Sequence, residues 1–179
     1  MSEAIQGSLN GEGLRIGIAV ARFNNTITSR LLAGARSALT QHGVVESDLT
    51  VASVPGSFEL PVTAKKMAES GRFDAIVCIG AVIKGETDHY HHVSEAASQG
   101  VMRVGLYTGI PVVFGVLTTD TIEQAVARTG GDGEEYLEKP RPLSKIGLNP
   151  GPTDGIQGNE GYNAGLTAIE MANLMSDLD

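Results

Sequence analysis

The residues best suited to chemistry gather between Asp74 and His92, in the stretch DAIVCIGAVIKGETDHYHH. His89 supplies an imidazole, a group that gains and loses protons near neutral pH. It follows the turn-forming run Lys84-Gly85-Glu86-Thr87-Asp88 and opens a helical pattern. In that pattern Val93, Ala96, Ala97, Gly100, Val101 and Val104 recur at spacings of three and four. Thr87 or Asp88 is expected to cap its first turn. Free backbone N–H groups and the helix dipole at such a start attract an anion. The stretch therefore points to proton transfer on an anionic substrate.

His91 and His92 raise the question of a metal beside Asp88 and His89. Consecutive helical positions diverge by about 100°, so the four do not converge on one ion and no metal site is expected. His42, just before Gly43, reads as a helix-end residue. Cys78 is the only cysteine. It lies in an apolar run, where a buried, inert thiol is the expectation.

These residues need elements to hold them. Ala75 to Ile83 is nine apolar or small residues without a polar break, the pattern of a central strand buried on both faces. Leu14 to Ala21 predicts an earlier strand, ending at Arg22-Phe23-Asn24. Asn24 or Asn25 is then positioned to cap a helix carrying Leu31, Leu32, Ala35, Ala38 and Leu39, stopped at Gly43. Leu49 to Val54 predicts a strand closed by Pro55-Gly56. Ser57 reads as the N-cap of a helix with Leu60, Ala64, Met67 and Ala68 on one face and Pro61 in its first turn. After Pro111 a further strand is expected over Val112 to Leu117. Asp120 with Glu123 resembles a capping box for a short helix ending near Arg128 and Gly130.

Four alternations of strand and helix imply right-handed crossovers and a parallel sheet covered on both faces. Such sheets bind ligands beyond the carboxyl ends of their strands, where the unusual loops of this chain fall. Residues 131–157 break the alternation. They hold four of the seven prolines and five glycines in 27 residues and read as a surface loop or insertion. Gly158-Asn159-Glu160-Gly161 then precedes a last helix with Leu166, Ile169, Leu174 and Met175.

Composition narrows the class. At 179 residues, with 41% hydrophobic and 19% charged residues, one domain over 1–179 with a full core is expected. A net charge of −8 without a basic stretch argues against nucleic acid. No apolar run reaches a membrane span, and the N-terminal residues lack a secretion-signal pattern. With a single cysteine, the expected compartment is the cytoplasm.

Arg22-Phe23-Asn24, Val54-Pro55-Gly56-Ser57-Phe58-Glu59, Gly85-Glu86-Thr87-Asp88-His89-Tyr90 and Phe114-Gly115-Val116-Leu117-Thr118 occur in order, with Glu123-Gln124-Ala125 and Arg128 behind them. As an ordered set at the same end of a sheet they closely resemble the 6,7-dimethyl-8-ribityllumazine synthases, over roughly residues 5 to 130 and again from Gly158. The resemblance implies a flavodoxin-like three-layer sandwich, a four-stranded parallel sheet with helices on both faces. It implies a condensation without any cofactor, between 5-amino-6-(D-ribitylamino)uracil and 3,4-dihydroxy-2-butanone 4-phosphate. An imine forms, phosphate leaves, and ring closure with loss of water gives the lumazine.

By the same resemblance, His89 is the proton-transfer residue and Arg128 the phosphate-binding arginine. Gly85, Glu86 and Thr87 form a phosphate-binding turn. Phe23 stacks on the pyrimidine, and Ser57, Phe58 and Glu59 bind the ribityl chain. Ala81, Val82 and Ile83 line the heterocycle, while Phe114 reaches the site from a neighbouring subunit. A homo-oligomer with sites between subunits is implied, leaving room for riboflavin synthase as a further partner. Related readings are an archaeal-type riboflavin synthase or a non-catalytic lumazine- or flavin-binding shell protein. The phosphate residues favour the lumazine synthase over the first. Retention of Phe23, His89 and Arg128 together favours it over the second.

Two departures stand out. Glu160 occupies the place of the family's lysine, a charge reversal near the expected phosphate, which Lys139 or Lys145 could offset. The inserted segment is about two dozen residues longer than the usual connection. A loop of that bulk is expected to hinder closure into a sixty-subunit shell and so to favour a free homopentamer.

Overall fold

The structure is a computed structural model that describes residues 4–130 and 158–179. The expectations for 131–157, Lys139 and Lys145 included, lie outside the described residues.

Four parallel strands form the sheet: β1 (Ile16–Ala21), β2 (Leu49–Val54), β3 (Ala75–Ile83) and β4 (Val112–Thr119), in the order β2-β1-β3-β4. Helices α1 (Asn25–Gln41), α2 (Leu60–Ala68), α3 (His89–Thr108), α4 (Ile122–Val126) and α5 (Glu160–Leu178) complete the layers. One core joins the sheet to α1 and α5 through Ile18, Leu31, Leu39, Val77, Ile79 and Ile169. The other joins it to α2 and α3 through Leu60, Met67, Ile76, Cys78, Val101 and Val116. Residues of β3 alternate between the two, so a strand wet on neither face must be apolar throughout. The three-layer parallel fold is as the sequence implied.

Local differences have identifiable causes. The first strand starts at Ile16 rather than Leu14, because Arg15 is held at the opposite end by Asp74. The Arg15 backbone N–H and guanidinium both donate to that carboxylate, at 2.7 and 2.8 Å. The last strand runs on to Thr119, since Thr118 and Thr119 still pair with Val82 and Ile83. Ser57 is not an N-cap but opens a 3₁₀ turn, Ser57–Glu59, ahead of α2. Asp88 stands at the N-cap position of α3 without a side-chain cap bond. The short helix α4 is capped one residue later than expected: the Gln124 N–H donates to the Thr121 hydroxyl at 3.3 Å, and Gln124 Oε1 accepts from the Asp120 N–H at 2.9 Å.

α1 and α5 pack closely enough that glycine is required between them. A side chain at Gly165 would place its Cβ 2.8 Å from the Ala35 carbonyl oxygen, and one at Gly161 would overlap the Leu31 carbonyl. Asn159, only 5% exposed, ties this pair together. Its Oδ1 accepts from the Tyr162 N–H at 3.1 Å, capping α5, while its Nδ2 donates to the carbonyls of Thr129 at 2.9 Å and Arg30 at 3.3 Å. The Glu160 N–H also donates to the Arg128 carbonyl at 2.9 Å, joining the start of α5 to the turn after α4.

Candidate active site

Because the strands are parallel, the segments after β1, β2, β3 and β4 leave the sheet at one end. Backbone hydrogen bonds join them in pairs. Arg22 and Phe23 donate to the carbonyls of Val54 and Pro55 at 2.8 and 3.0 Å, and Lys84 donates to that of Thr119 at 2.9 Å. At the first of these turns Asn24 adopts φ 59° and ψ 44°, the left-handed region, where Asn is the most tolerant side chain after Gly. Its carboxamide does not cap α1. Nδ2 donates instead to the Ala81 carbonyl at 2.9 Å, linking the turn after β1 to the end of β3. Phe23 beside it is 70% exposed.

After β2 the chain folds tightly over the sheet. Ser57 is 5% exposed, pressed on Gly80 of β3, and it therefore lies beneath the surface that Phe58 (60% exposed) presents. Glu59 Oε2 accepts from the Gly56 N–H at 3.0 Å, which fixes the carboxylate and leaves its second oxygen open. Ala81 and Val82 are buried, on opposite faces, and belong to the two cores; Ile83 is half-buried.

Gly85, Glu86, Thr87 and His89 are all exposed. His89 is the first residue of α3, and no acidic residue or side-chain cap occupies that helix's first turn. The His91 N–H donates to the Asp88 carbonyl at 3.0 Å, and no acidic side chain competes with an anion at this helix start. Lys84 Nζ lies 3.9 Å from an Asp120 carboxylate oxygen, a loose surface ion pair.

Phe114 and Arg128 line a groove of their own. Phe114-Gly115-Val116-Leu117-Thr118 is the body of β4 and not a loop at the end of the sheet. Phe114 pairs with Cys78, whereas Thr119 pairs with Ile83 at the carboxyl end of β3. Five residues of strand set Phe114 back by about 16 Å from that end. On the open edge of β4 a groove of about 630 Å³ is lined by Phe114, Arg128, Glu160, Asn163 and Thr167, among others. None of Phe23, Ser57 to Glu59, Ala81 to Thr87 or His89 lines it. Arg128 Nη1 donates to the Gln124 carbonyl at 3.1 Å, holding the guanidinium towards the groove. Glu160 faces the same groove, its Oε2 accepting from Asn163 Nδ2 at 3.2 Å. A second groove, of about 430 Å³, runs between α3 and β4 past His91, Ser94, Glu95 and Ser98, with Phe114 on its rim as well. One chain therefore carries two separate groups of candidate residues.

Residues 13–176 match the family model of 6,7-dimethyl-8-ribityllumazine synthase. The chain belongs to this family. Lumazine synthases form their product in riboflavin biosynthesis, and the match runs through both groups of residues and across the atypical segment 131–157. Two features of this end of the sheet escaped the sequence reading. The left-handed turn at Asn24 was signalled only by an Asn at a strand-to-helix junction. The need for Gly80 under Ser57 gave no signal, since a small residue in a buried strand is unremarkable.

Proposed function

We propose that the chain condenses 5-amino-6-(D-ribitylamino)uracil with 3,4-dihydroxy-2-butanone 4-phosphate, at sites each assembled from two copies of itself. The observation that carries this reading is the separation of the residues on one chain. Phe23, Phe58, Glu59, the turn at Gly85 to Thr87 and His89 share the end of the sheet. Phe114 and Arg128 line a groove on the open edge of β4 that none of those residues lines. A neighbouring copy can bring its Phe114 and Arg128 to the first group, and a closed ring of copies, a homopentamer, lets every chain give and receive.

In this site Phe23 stacks on the pyrimidine, which rests against the end of β3 at Ala81, Val82 and Ile83. The free oxygen of Glu59, with Phe58 and the backbone at Ser57, holds the ribityl chain. The amide N–H groups of Gly85, Glu86 and Thr87 and the partner copy's Arg128 hold the phosphate, whose departure a bidentate guanidinium favours. The 5-amino nitrogen attacks the ketone, and water leaves to give the imine. His89 takes the proton whose loss drives elimination of phosphate, and can return it when the resulting enol becomes a ketone. The ribitylamino nitrogen closes the ring on that carbonyl and a second water leaves. Each step moves a proton, so a positioned base and acid is worth about two to four decades in rate.

The cytoplasm is the compartment proposed. Burial pushes the thiol of Cys78 up to about 12, which leaves it inert and offers no disulfide. No helix among the described residues is long and apolar enough to cross a membrane. An absorbance assay with both substrates tests the reading. Arg128→Gln should raise KM for the phosphate substrate with little change for the pyrimidine, and Glu59→Gln should do the reverse. Equal effects of both variants on both substrates would contradict the assignment.

A further inference from the structure

We infer that Asn24 is a positioning residue, which sets the attitude of Phe23 towards the pyrimidine substrate by locking its turn to β3. The inference rests on the reading above that Phe23 stacks on that substrate. Asn24 is the only non-glycine with positive φ among the described residues. Left-handed backbone at a side-chain-bearing residue is unfavourable and persists where the surroundings over-determine it.

Two sets of contacts do so here. The N–H groups of Ile27 and Thr28 donate to the Asn24 carbonyl at 2.9 and 3.1 Å, starting α1 from its backbone. That leaves the carboxamide, which would ordinarily cap the helix, free to reach across 57 residues to the Ala81 carbonyl. The β1–β3 ladder ends with Val20 paired to Ile79. Ala81 lies beyond the last rung, and the Asn24 side chain supplies the donor that β1 no longer can.

Phe23 is bracketed by these restraints. Its own N–H is held by Pro55, its neighbour is clamped to β3, and its ring is largely exposed. With so little of the ring packed, its direction is set by the backbone of the turn. A turn tied to Ala81 is tied to the strand end against which the pyrimidine rests.

Three substitutions separate the parts. Asn24→Gly keeps the left-handed backbone and deletes the clamp. Asn24→Asp keeps size and backbone tolerance but places an acceptor against an acceptor. Asn24→Ala loses both clamp and backbone preference. The readouts are fluorescence titration with 6,7-dimethyl-8-ribityllumazine, KM for each substrate, and the thermal melt, with Phe23→Ala alongside. One lost hydrogen bond corresponds to about three- to tenfold weaker binding. That loss is expected for the lumazine and in KM for the pyrimidine with Asn24→Gly and Asn24→Asp, while KM for the phosphate substrate stays within about twofold. If Phe23→Ala weakens binding and the Gly and Asp variants do not, the inference fails and the stacking reading stands. If Phe23→Ala has no effect, the stacking reading fails and takes the inference with it. Parallel changes in both KM values and the melt would reduce Asn24 to a structural role and also overturn the inference.

Discussion

Replacing Gly80 with alanine should disturb the candidate site from beneath, by displacing Ser57 from the strand. Gly80 lies in β3 under the 3₁₀ turn that carries Ser57, Phe58 and Glu59. A methyl group there would overlap the Ser57 hydroxyl and stand 3.1 Å from Leu60 Cδ1 and 3.3 Å from Val116 Cγ1. All three neighbours are buried, so the turn must lift away from the sheet. Overpacking of this kind costs about 1–3 kcal/mol. For a chain of this size each kcal/mol lowers Tm by about 2–4 °C, so a fall of roughly 2–12 °C is expected in calorimetry. Because the lifted turn carries Glu59, KM for the pyrimidine substrate should rise several-fold while KM for the phosphate substrate moves little. Gly85→Ala is the contrasting case. A methyl group there meets nothing within 4 Å, so Tm should hold, and only KM for the phosphate substrate should rise. An unchanged Tm and unchanged KM for Gly80→Ala would refute the claim that Ser57 is pinned on the strand.

Other consequences follow from the same geometry. Burial pushes the Asp74 carboxyl up, but the side-chain and backbone hydrogen bonds from Arg15, with its charge, outweigh that and hold it below its ordinary 3.8. Its stabilising contribution is therefore present above that value and lost as pH falls through the lowered one; Asp74→Asn should lower Tm at pH 7 and flatten the acid limb of a Tm–pH curve. Glu160→Gln should lower KM for the phosphate substrate about two- to fivefold, as expected for one removed like charge near a partly solvated anion; no improvement would mean that Glu160 does not face the phosphate. Asn159→Ala removes the α5 cap and strips the buried Thr129 carbonyl of a donor, for a loss of about 1–3 kcal/mol in denaturant unfolding.

The sequence made the layers legible because burial imposes a pattern. Only a strand covered on both faces needs the unbroken run from Ala75 to Ile83, and only helices with one wet face need the stripes of α1, α2 and α3. Caps were less legible. At Asp88 the residue type suited the position, yet the bond is not made. At Asn24 the side chain that suits a cap is drawn to the Ala81 carbonyl instead. At Asn24 a tertiary partner, distant in sequence, decided the matter. The grouping of site residues was legible in part. Loops after parallel strands must share one end of the sheet, which brought Phe23, Glu59 and His89 together. Phe114 was grouped with those loops by motif order, but strand register sets it five residues back from the end. Glu160 was legible as a charge reversal, and its direction only from the fold, where Asn163 and the groove beside Arg128 receive it.

The central claim is that a working site draws His89 from one chain and Arg128 from another. Co-refolding equal amounts of His89→Ala and Arg128→Ala chains, each assayed alone and then mixed, tests it most directly. Half the positions for each residue are then intact, so roughly a quarter of wild-type lumazine formation should return. If the two residues act from the same chain, every site in the mixture lacks one of them, and a mixture no more active than its components would contradict the account.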